Sequence, residues 1–207
     1  MVKTLLAGVL GVQGDVSEHV FSMKNALKEK NVDGRVVVVK QKKEIDNLDI
    51  LIIPGGESTT ISKILYKSGI YDRVVRRIEN DDLPIMGTCA GCVLLAKELT
   101  DNENEEEVRL LHAMDIKVER NAFGRQRESF EKKIEFKGFD YPYNAVFIRA
   151  PIIRKTWGRC EILAKINKEM VVAVRQNRFL ALSFHPELTN DVRIHKYFLD
   201  MSILRYR

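Results

Sequence analysis

Cysteine is scarce in this chain, and long apolar runs are missing. Its 207 residues include three cysteines, Cys89, Cys92 and Cys160. Three cannot build a disulfide framework, so a reducing compartment is expected and the fold must rest on its own core. No apolar stretch reaches the ~20 residues that a membrane span needs. The N-terminal run through Val9 breaks at Gln13-Gly14-Asp15, and no small-residue cleavage site follows. It therefore reads as a buried first strand, not a signal peptide. A cytoplasmic protein without membrane association is expected. Prolines number five, and no Pro/Gly/Ser-rich linker or internal repeat divides the chain. With this length, that favours one domain over residues 1–207. Massed charge is missing too. The net charge of +5, from 34 basic and 29 acidic residues, is spread along the chain. A nucleic-acid partner would require a basic stripe on one face, so none is expected.

What is present is an alternation. Leu5–Val12 reads as a buried strand and Asp15–Lys30 as a helix, with Val16, Val20, Met23, Ala26 and Leu27 at helical spacing. Strands are expected at Arg35–Val39 and Ile50–Ile53. Ser58 or Thr59 could cap a helix running through Tyr66, and another helix is expected over Tyr71–Glu79. Strand-helix alternation of this kind gives a parallel sheet covered on both faces. The second half changes character. Ile116–Val118, Lys132–Phe136, Ala145–Ile148, Glu161–Ile166, Met170–Val174 and Phe179–Phe184 are strand-like with few helices between them, and Asp191–Leu204 reads as a closing amphipathic helix. The expected fold is α/β: three layers, a mostly parallel central sheet with helices on both faces, and an antiparallel extension in the C-terminal half.

The chemistry centres on Gly87-Thr88-Cys89-Ala90-Gly91. The apolar run Leu83–Met86 precedes it and the helix-like run Val93–Lys97 follows. A strand, a sharp turn with a nucleophile at its tip and a helix make a nucleophile elbow, here carrying cysteine. Small residues at 87, 90 and 91 are what such a turn requires. A thiol at a helix N-terminus is also favoured as thiolate. Cys89 then needs a base. Of His19, His112, His185 and His195, only His185 sits at a strand end, in Ser183-Phe184-His185-Pro186-Glu187. Parallel strands gather their C-termini at one edge, where sites form. Pro186 favours an extended chain, in which Glu187, two residues on, points to the same side as His185. That predicts a Cys89–His185–Glu187 triad. His19 and His195 read as surface or packing residues of helices, and His112 is left open.

Pro54-Gly55-Gly56-Glu57-Ser58 also follows a strand. Its glycines allow close backbone approach, and the N–H groups of Gly56 and Ala90 are candidates for an oxyanion hole. It lacks the lysine of a phosphate loop. Cys89-Ala90-Gly91-Cys92 also matches a C-x-x-C redox pair, but that reading leaves the elbow glycines and His-Pro-Glu unexplained. Zinc would need more ligands than Cys160 offers. The acidic stretch Asp101–Glu107 reads as an exposed loop. No metal and no cofactor are expected.

These three motifs together resemble the class I (triad) glutamine amidotransferases. Further strings narrow the resemblance: Gly8–Gly14, Val118–Gln126 with its Arg-Asn-Ala-Phe-Gly-Arg-Gln, Phe147-Ile148-Arg149-Ala150-Pro151 and Val174-Arg175-Gln176. They resemble the glutaminase subunit of the two-component pyridoxal 5′-phosphate synthases, over nearly the whole chain. The resemblance implies hydrolysis of L-glutamine to glutamate and ammonia. The ammonia would pass to a synthase subunit with a (β/α)8 barrel. Cys89 would be the nucleophile, with His185 and Glu187 as its partners. Gly56, Glu57, Ser58, Arg120, Ile148 and Arg149 would hold glutamine. Gln13 would sense the synthase subunit, which completes the oxyanion hole. A glutaminase serving another acceptor, in histidine or purine synthesis, is the alternative.

Overall fold

The computed structural model describes residues 4–100, 108–120, 122 and 129–203. The acidic stretch Asp101–Glu107, most of the Asn121–Gln126 string and Leu204 lie outside the described residues. The first half alternates as expected: β1 (Leu5–Leu10), α1 (Val16–Glu29), β2 (Gly34–Val39), a 3₁₀ helix (Lys42–Asn47), β3 (Ile50–Ile53), α2 (Ser58–Lys67), α3 (Ile70–Glu79), β4 (Ile85–Thr88) and α4 (Ala90–Leu95). The second half is strand-rich: β5 (Ala96–Leu99), β6 (Met114–Glu119), β7 (Ser129–Ile134), β8 (Tyr143–Ile148), β9 (Ile152–Thr156), β10 (Glu161–Lys165), β11 (Val171–Gln176) and β12 (Phe179–Leu182). A 3₁₀ turn (Pro186–Leu188) and α5 (Arg193–Ile203) close the described chain.

Among the described residues, ten strands form one sheet in the order β2-β1-β3-β4-β12-β11-β9-β6-β5, with β10 paired to β11. From β2 to β12 every pairing is parallel. Beyond β12 the sheet turns antiparallel through β11, β9 and β6. The fold class is thus the one expected, antiparallel extension included. β7 and β8 form a separate hairpin.

Alternation along the strands builds the three layers. In β3, Leu51 and Ile53 join one core with Ile61 and Leu65 of α2, Val74 of α3 and Leu94 of α4. Ile50 and Ile52 face the other way, into a core with Met23 and Leu27 of α1, Phe198 of α5 and Phe147 of β8. Both cores are fully dry at these positions or nearly so. Each buried aliphatic side chain contributes roughly 1.5–3 kcal/mol. A strand buried on both faces must be apolar throughout, which is why β3 reads Ile-Leu-Ile-Ile.

Three local expectations are corrected. The helix after the elbow stops at Leu95, and Ala96–Leu99 return as a strand, because β5 finds a partner in β6. The strand β9, not foreseen, pairs on both sides within the antiparallel extension. The cap of α2 is neither Ser58 nor Thr59 but Glu57, whose carboxylate accepts the N–H groups of Thr59 and Thr60.

The elbow depends on close backbone contact. A Cβ on Gly91 would stand 2.2 Å from the carbonyl oxygen of Ile53 on β3. Gly91→Ala therefore sets two effects against each other. Helix propensity favours alanine by up to about 1 kcal/mol, whereas overpacking against a backbone atom that no rotamer change can clear costs about 1–3 kcal/mol. Crowding should win. Thermal unfolding is expected to show a midpoint lower by several degrees, at about 2–4 °C per kcal/mol for a chain of this size. An unchanged or higher midpoint would mean that β3 gives way freely.

Candidate active site

Adjacent strands β1, β3, β4 and β12 run parallel, so their C-terminal ends share one edge. The segments leaving them carry Gln13 to Asp15, Pro54 to Glu57, Cys89, and Ser183 to Glu187, respectively. Cys89 begins α4 with φ 49° and ψ −104°. A side chain in that region costs of order 1–3 kcal/mol and persists only where its surroundings fix it. Here they do: the Cys89 N–H donates to the Leu182 carbonyl at 2.8 Å, tying the elbow to β12. The thiol is buried and lies 3.8 Å from the Ile148 carbonyl.

His185 and Glu187 are buried as well. His185 Nδ1 and Glu187 Oε1 are 2.7 Å apart. The sequence argument foresaw this pairing but not its cause. The chain after His185 is not extended; Pro186–Leu188 form a 3₁₀ turn with Pro186 at its start. The turn, not strand alternation, brings the carboxylate back to the ring. The His185 N–H donates to Val146 O of β8 at 2.8 Å, fixing the backbone. The neighbouring loop presses close: a Cβ on Gly55 would stand 2.4 Å from His185 Cε1, so only glycine fits there.

Burial alone would favour the neutral ring of His185. Its interactions with Cys89 and Glu187 outweigh that and push the imidazole up to about 10. Burial raises the Glu187 carboxyl, and the bond to His185 opposes the rise. The arrangement is an imidazole that readily takes a proton, backed by an acid shielded from water.

A cleft of about 500 Å³ opens at this edge. Cys89, Ala90 and His185 line it, and so do all six residues assigned to glutamine: Gly56, Glu57, Ser58, Arg120, Ile148 and Arg149. Glu187 stands behind His185, outside the lining. Gln13 does not line the cleft; its Oε1 accepts the Glu57 N–H at 3.0 Å. Burial would raise the Glu57 carboxyl, but hydrogen bonds from Thr59 and Thr60 hold it down to about 2. Arg149 has φ 43°, which turns the chain out of β8 at the cleft rim. His112 is exposed and does not line the cleft.

Sequence reasoning missed two features. Asp15 lines the cleft, with Oδ2 3.3 Å from His185 Nδ1. Asp15, His185 and Glu187 are the one group among the described residues with ligand atoms close enough together for a metal, within 4.8 Å. Their shared nitrogen is already hydrogen-bonded to Glu187, so the grouping serves a proton better than a cation. Second, His19 and His195 are neither surface nor simple packing residues. Both are fully buried, and His19 Nε2 lies 3.2 Å from Glu187 Oε2. Nothing in the sequence separates a helical histidine that reaches Glu187 from one that packs. As for the redox reading, burial pushes the Cys92 thiol well up, leaving it a poor resolving nucleophile. Gln176, part of a family-like string, clamps Asp115 through both its amide atoms at 2.7 and 2.8 Å; it ties β11 to β6.

A family model described as the SNO glutamine amidotransferase family matches residues 9–204. A protein of Staphylothermus marinus named pyridoxal 5′-phosphate synthase subunit PdxT is 49% identical over 201 residues, covering 95% of this chain and 98% of its own. A protein of the same name from Methanococcoides burtonii is 47% identical over 193 residues, covering 93% and 96%. A crystal structure described as a glutamine amidotransferase superposes with a TM-score of 0.83 at 45% identity, over 95% of this chain and 98% of that one.

The buried histidines predict how stability depends on pH. Burial lowers His19 well below its ordinary range and His195 to about 3. Both stay neutral when folded and take a proton when unfolded below about pH 6.5. The unfolded state then binds more protons, so the stability these two residues contribute is full above that pH and falls as pH drops, by up to about 1.4 kcal/mol per pH unit per histidine. His185 has the opposite sign, but its window lies between 6.5 and 10, above this one. Urea unfolding from pH 6.5 to 5 should show the loss, and His195→Asn should flatten it. An equally steep curve in that variant would contradict the assignment.

Proposed function

The chain belongs to the SNO glutamine amidotransferase family, and from that premise we propose that it is a single-domain, cytoplasmic glutaminase subunit of pyridoxal 5′-phosphate synthase. It hydrolyses L-glutamine and delivers ammonia to a (β/α)8-barrel synthase subunit. The observation that carries this reading is the Cys89 thiol and the His185–Glu187 pair meeting at one cleft whose rim holds Arg120 and Arg149. The near-complete match to chains named as PdxT supports the acceptor.

The geometry supports the following reaction. His185 takes the thiol proton, and the Cys89 sulfur attacks the carboxamide carbon of glutamine. The C=O electrons move onto oxygen, which the N–H groups of Gly56 and Ala90 stabilise. The tetrahedral adduct collapses, the C–N bond breaks, and imidazolium His185 gives its proton to the departing nitrogen. Ammonia leaves and a γ-glutamyl thioester remains. His185, now neutral, draws a proton from water; the resulting hydroxide attacks the thioester, and glutamate and the thiol are restored. Glu187 stays ionised throughout and holds Nδ1. Arg120 or Arg149 pairs with the substrate carboxylate, and an acidic side chain such as Glu57, low enough to be charged at any working pH, pairs with its ammonium.

The resting cleft is poised but incomplete. The thiol leans toward the Ile148 carbonyl, while His185 Nε2 is buried with no hydrogen-bond partner among the described residues. The Glu57 N–H on the oxyanion loop is tied to Gln13 at the end of β1. A synthase subunit that engages Gln13 would therefore reach the loop directly.

Ammonia release from glutamine, with and without the synthase subunit, tests the reading. The isolated chain is expected to be nearly inactive and the complex active. Cys89→Ala in the complex should lower turnover at least about a thousandfold. Gln13→Ala should abolish most of the stimulation while leaving the fold intact. Ammonia release by Cys89→Ala at the wild-type rate would remove the nucleophile, and full turnover by the isolated chain would remove the dependence on a partner.

A further inference from the structure

Behind the triad lie two histidines that the reaction above leaves without a task. His19 on α1 and His195 on α5 are fully buried. His19 Nδ1 and His195 Nε2 are 3.2 Å apart. The other nitrogen of His19, Nε2, stands 3.1 Å from Thr88 Oγ1, one residue before the nucleophile, and 3.2 Å from Glu187 Oε2. Among the described residues Oε2 has no hydrogen-bond partner of its own, because Oε1 is the oxygen that meets His185.

The direction of this chain follows from counting protons. Both rings are held neutral by burial, so each carries one N–H. If His195 carried its proton on Nδ1, that buried N–H would be an unpaired donor, since Nδ1 has no partner among the described residues. His19 would then donate from Nδ1 and turn a bare lone pair toward the carboxylate. Both consequences are costly in a dry interior. The reverse assignment removes both. His195 donates from Nε2 to His19 Nδ1, and His19 carries an Nε2–H that Thr88 Oγ1 accepts, with Glu187 Oε2 3.2 Å from the same nitrogen. A buried carboxylate is destabilised unless donors face it, and this N–H is then the donor within reach of the oxygen that His185 leaves unpartnered.

We propose that His19 is a positioning residue for the triad: its Nε2–H holds the second oxygen of Glu187, and His195 fixes the tautomer that lets it do so. This rests on the Cys89–His185–Glu187 reading above. The His19 side chain does not line the cleft; its polar contacts run to His195, Thr88 and Glu187, and of these only Glu187 meets the His185 ring. With the donor gone, the carboxylate is freer to rotate away from Nδ1 and less able to hold the imidazolium. Groups that orient a catalytic group from behind are typically worth about 10- to 100-fold in activity.

The test uses the complex with the synthase subunit. His19→Leu should lower kcat for ammonia release about 10- to 100-fold with KM nearly unchanged. His19→Gln, whose amide can donate to Oε2, should recover most of the loss. A readout that needs no turnover is the NMR titration of the His185 ring, whose midpoint should fall in His19→Leu. The other groups facing the His185–Glu187 pair, Asp15 and Cys89 beside the ring and Tyr143 from β8, are the same in every variant. Should His19→Leu not fold, His195→Leu keeps His19 but removes its donor, and the same lower kcat and lower midpoint are expected. Wild-type kcat and midpoint in whichever leucine variant folds, or His19→Gln as slow as His19→Leu, would overturn the proposal. Failure of the triad reading looks different: Cys89→Ala would then stay active, while the His185 midpoint would still respond to His19.

Discussion

The site depends on one constraint, which is that β1, β3, β4 and β12 lie side by side and parallel. Only then do four segments far apart in sequence leave the sheet at one edge. β12 is the hinge of this arrangement. On one side it pairs in parallel with β4, and on the other antiparallel with β11. Its last carbonyl, Leu182, accepts the Cys89 N–H, so the strand that leads to His185 also pins Cys89. Remove that pairing and the unfavourable φ of Cys89 has nothing to hold it. The glycines of the elbow serve the same end, since α4 must start hard against the backbone of β3.

Burial then sets the electrostatics. A carboxylate, two neutral histidines and a threonine hydroxyl sit on the dry side of His185, and a cleft with two arginines sits on the wet side. In a low-dielectric interior each pairing counts for more than at the surface. Cys89 on the cleft side and Glu187 on the buried side can therefore together raise His185 far above an ordinary histidine despite the burial that opposes it. Asp15 adds a second acid near the same nitrogen, but it is partly exposed and so screened. Cys89 and Glu187 are the partners that govern the ring. This division matches the proposed chemistry, in which the proton shuttles on the wet side and the charge is steadied from the dry side.

How much of this the sequence revealed varied with the kind of signal. The parallel half was legible because its signals are local: apolar runs of strand length, helical spacing in α1, and glycines beside Cys89. β3 fell where it was expected, at Ile50–Ile53. The antiparallel half was legible in kind but not in detail. β9 reads Ile-Ile-Arg-Lys-Thr, too mixed to announce a strand; partners on both sides make it one. Residues 96–99 continue a helical pattern and change only because β6 is there to pair with. The His185–Glu187 contact was expected for a mistaken reason, strand alternation, where Pro186 in fact starts a turn. The inner histidines could not be read at all. Their contact depends on α1 and α5 meeting, with the two histidines 176 positions apart in the chain, and a single sequence carries no mark of that meeting.

The resting geometry also bears on why a glutaminase of this kind would wait for its partner. Its strained and buried parts are already built: the elbow, the acid behind the imidazole, the glycine loop against His185. What is unfinished lies at the cleft surface, where displacement is cheap. The thiol rests against a carbonyl of β8, and one N–H of the oxyanion loop is occupied by Gln13. Each is a single hydrogen bond, worth about 0.5–1.5 kcal/mol net. Exchanging such bonds costs far less than rebuilding a core, so a docking subunit has ample binding energy to do it. On the proposed reading, a site whose costly order is permanent and whose cheap order is conditional would stay ready without consuming glutamine, and that division follows from where along the sheet edge each residue was placed.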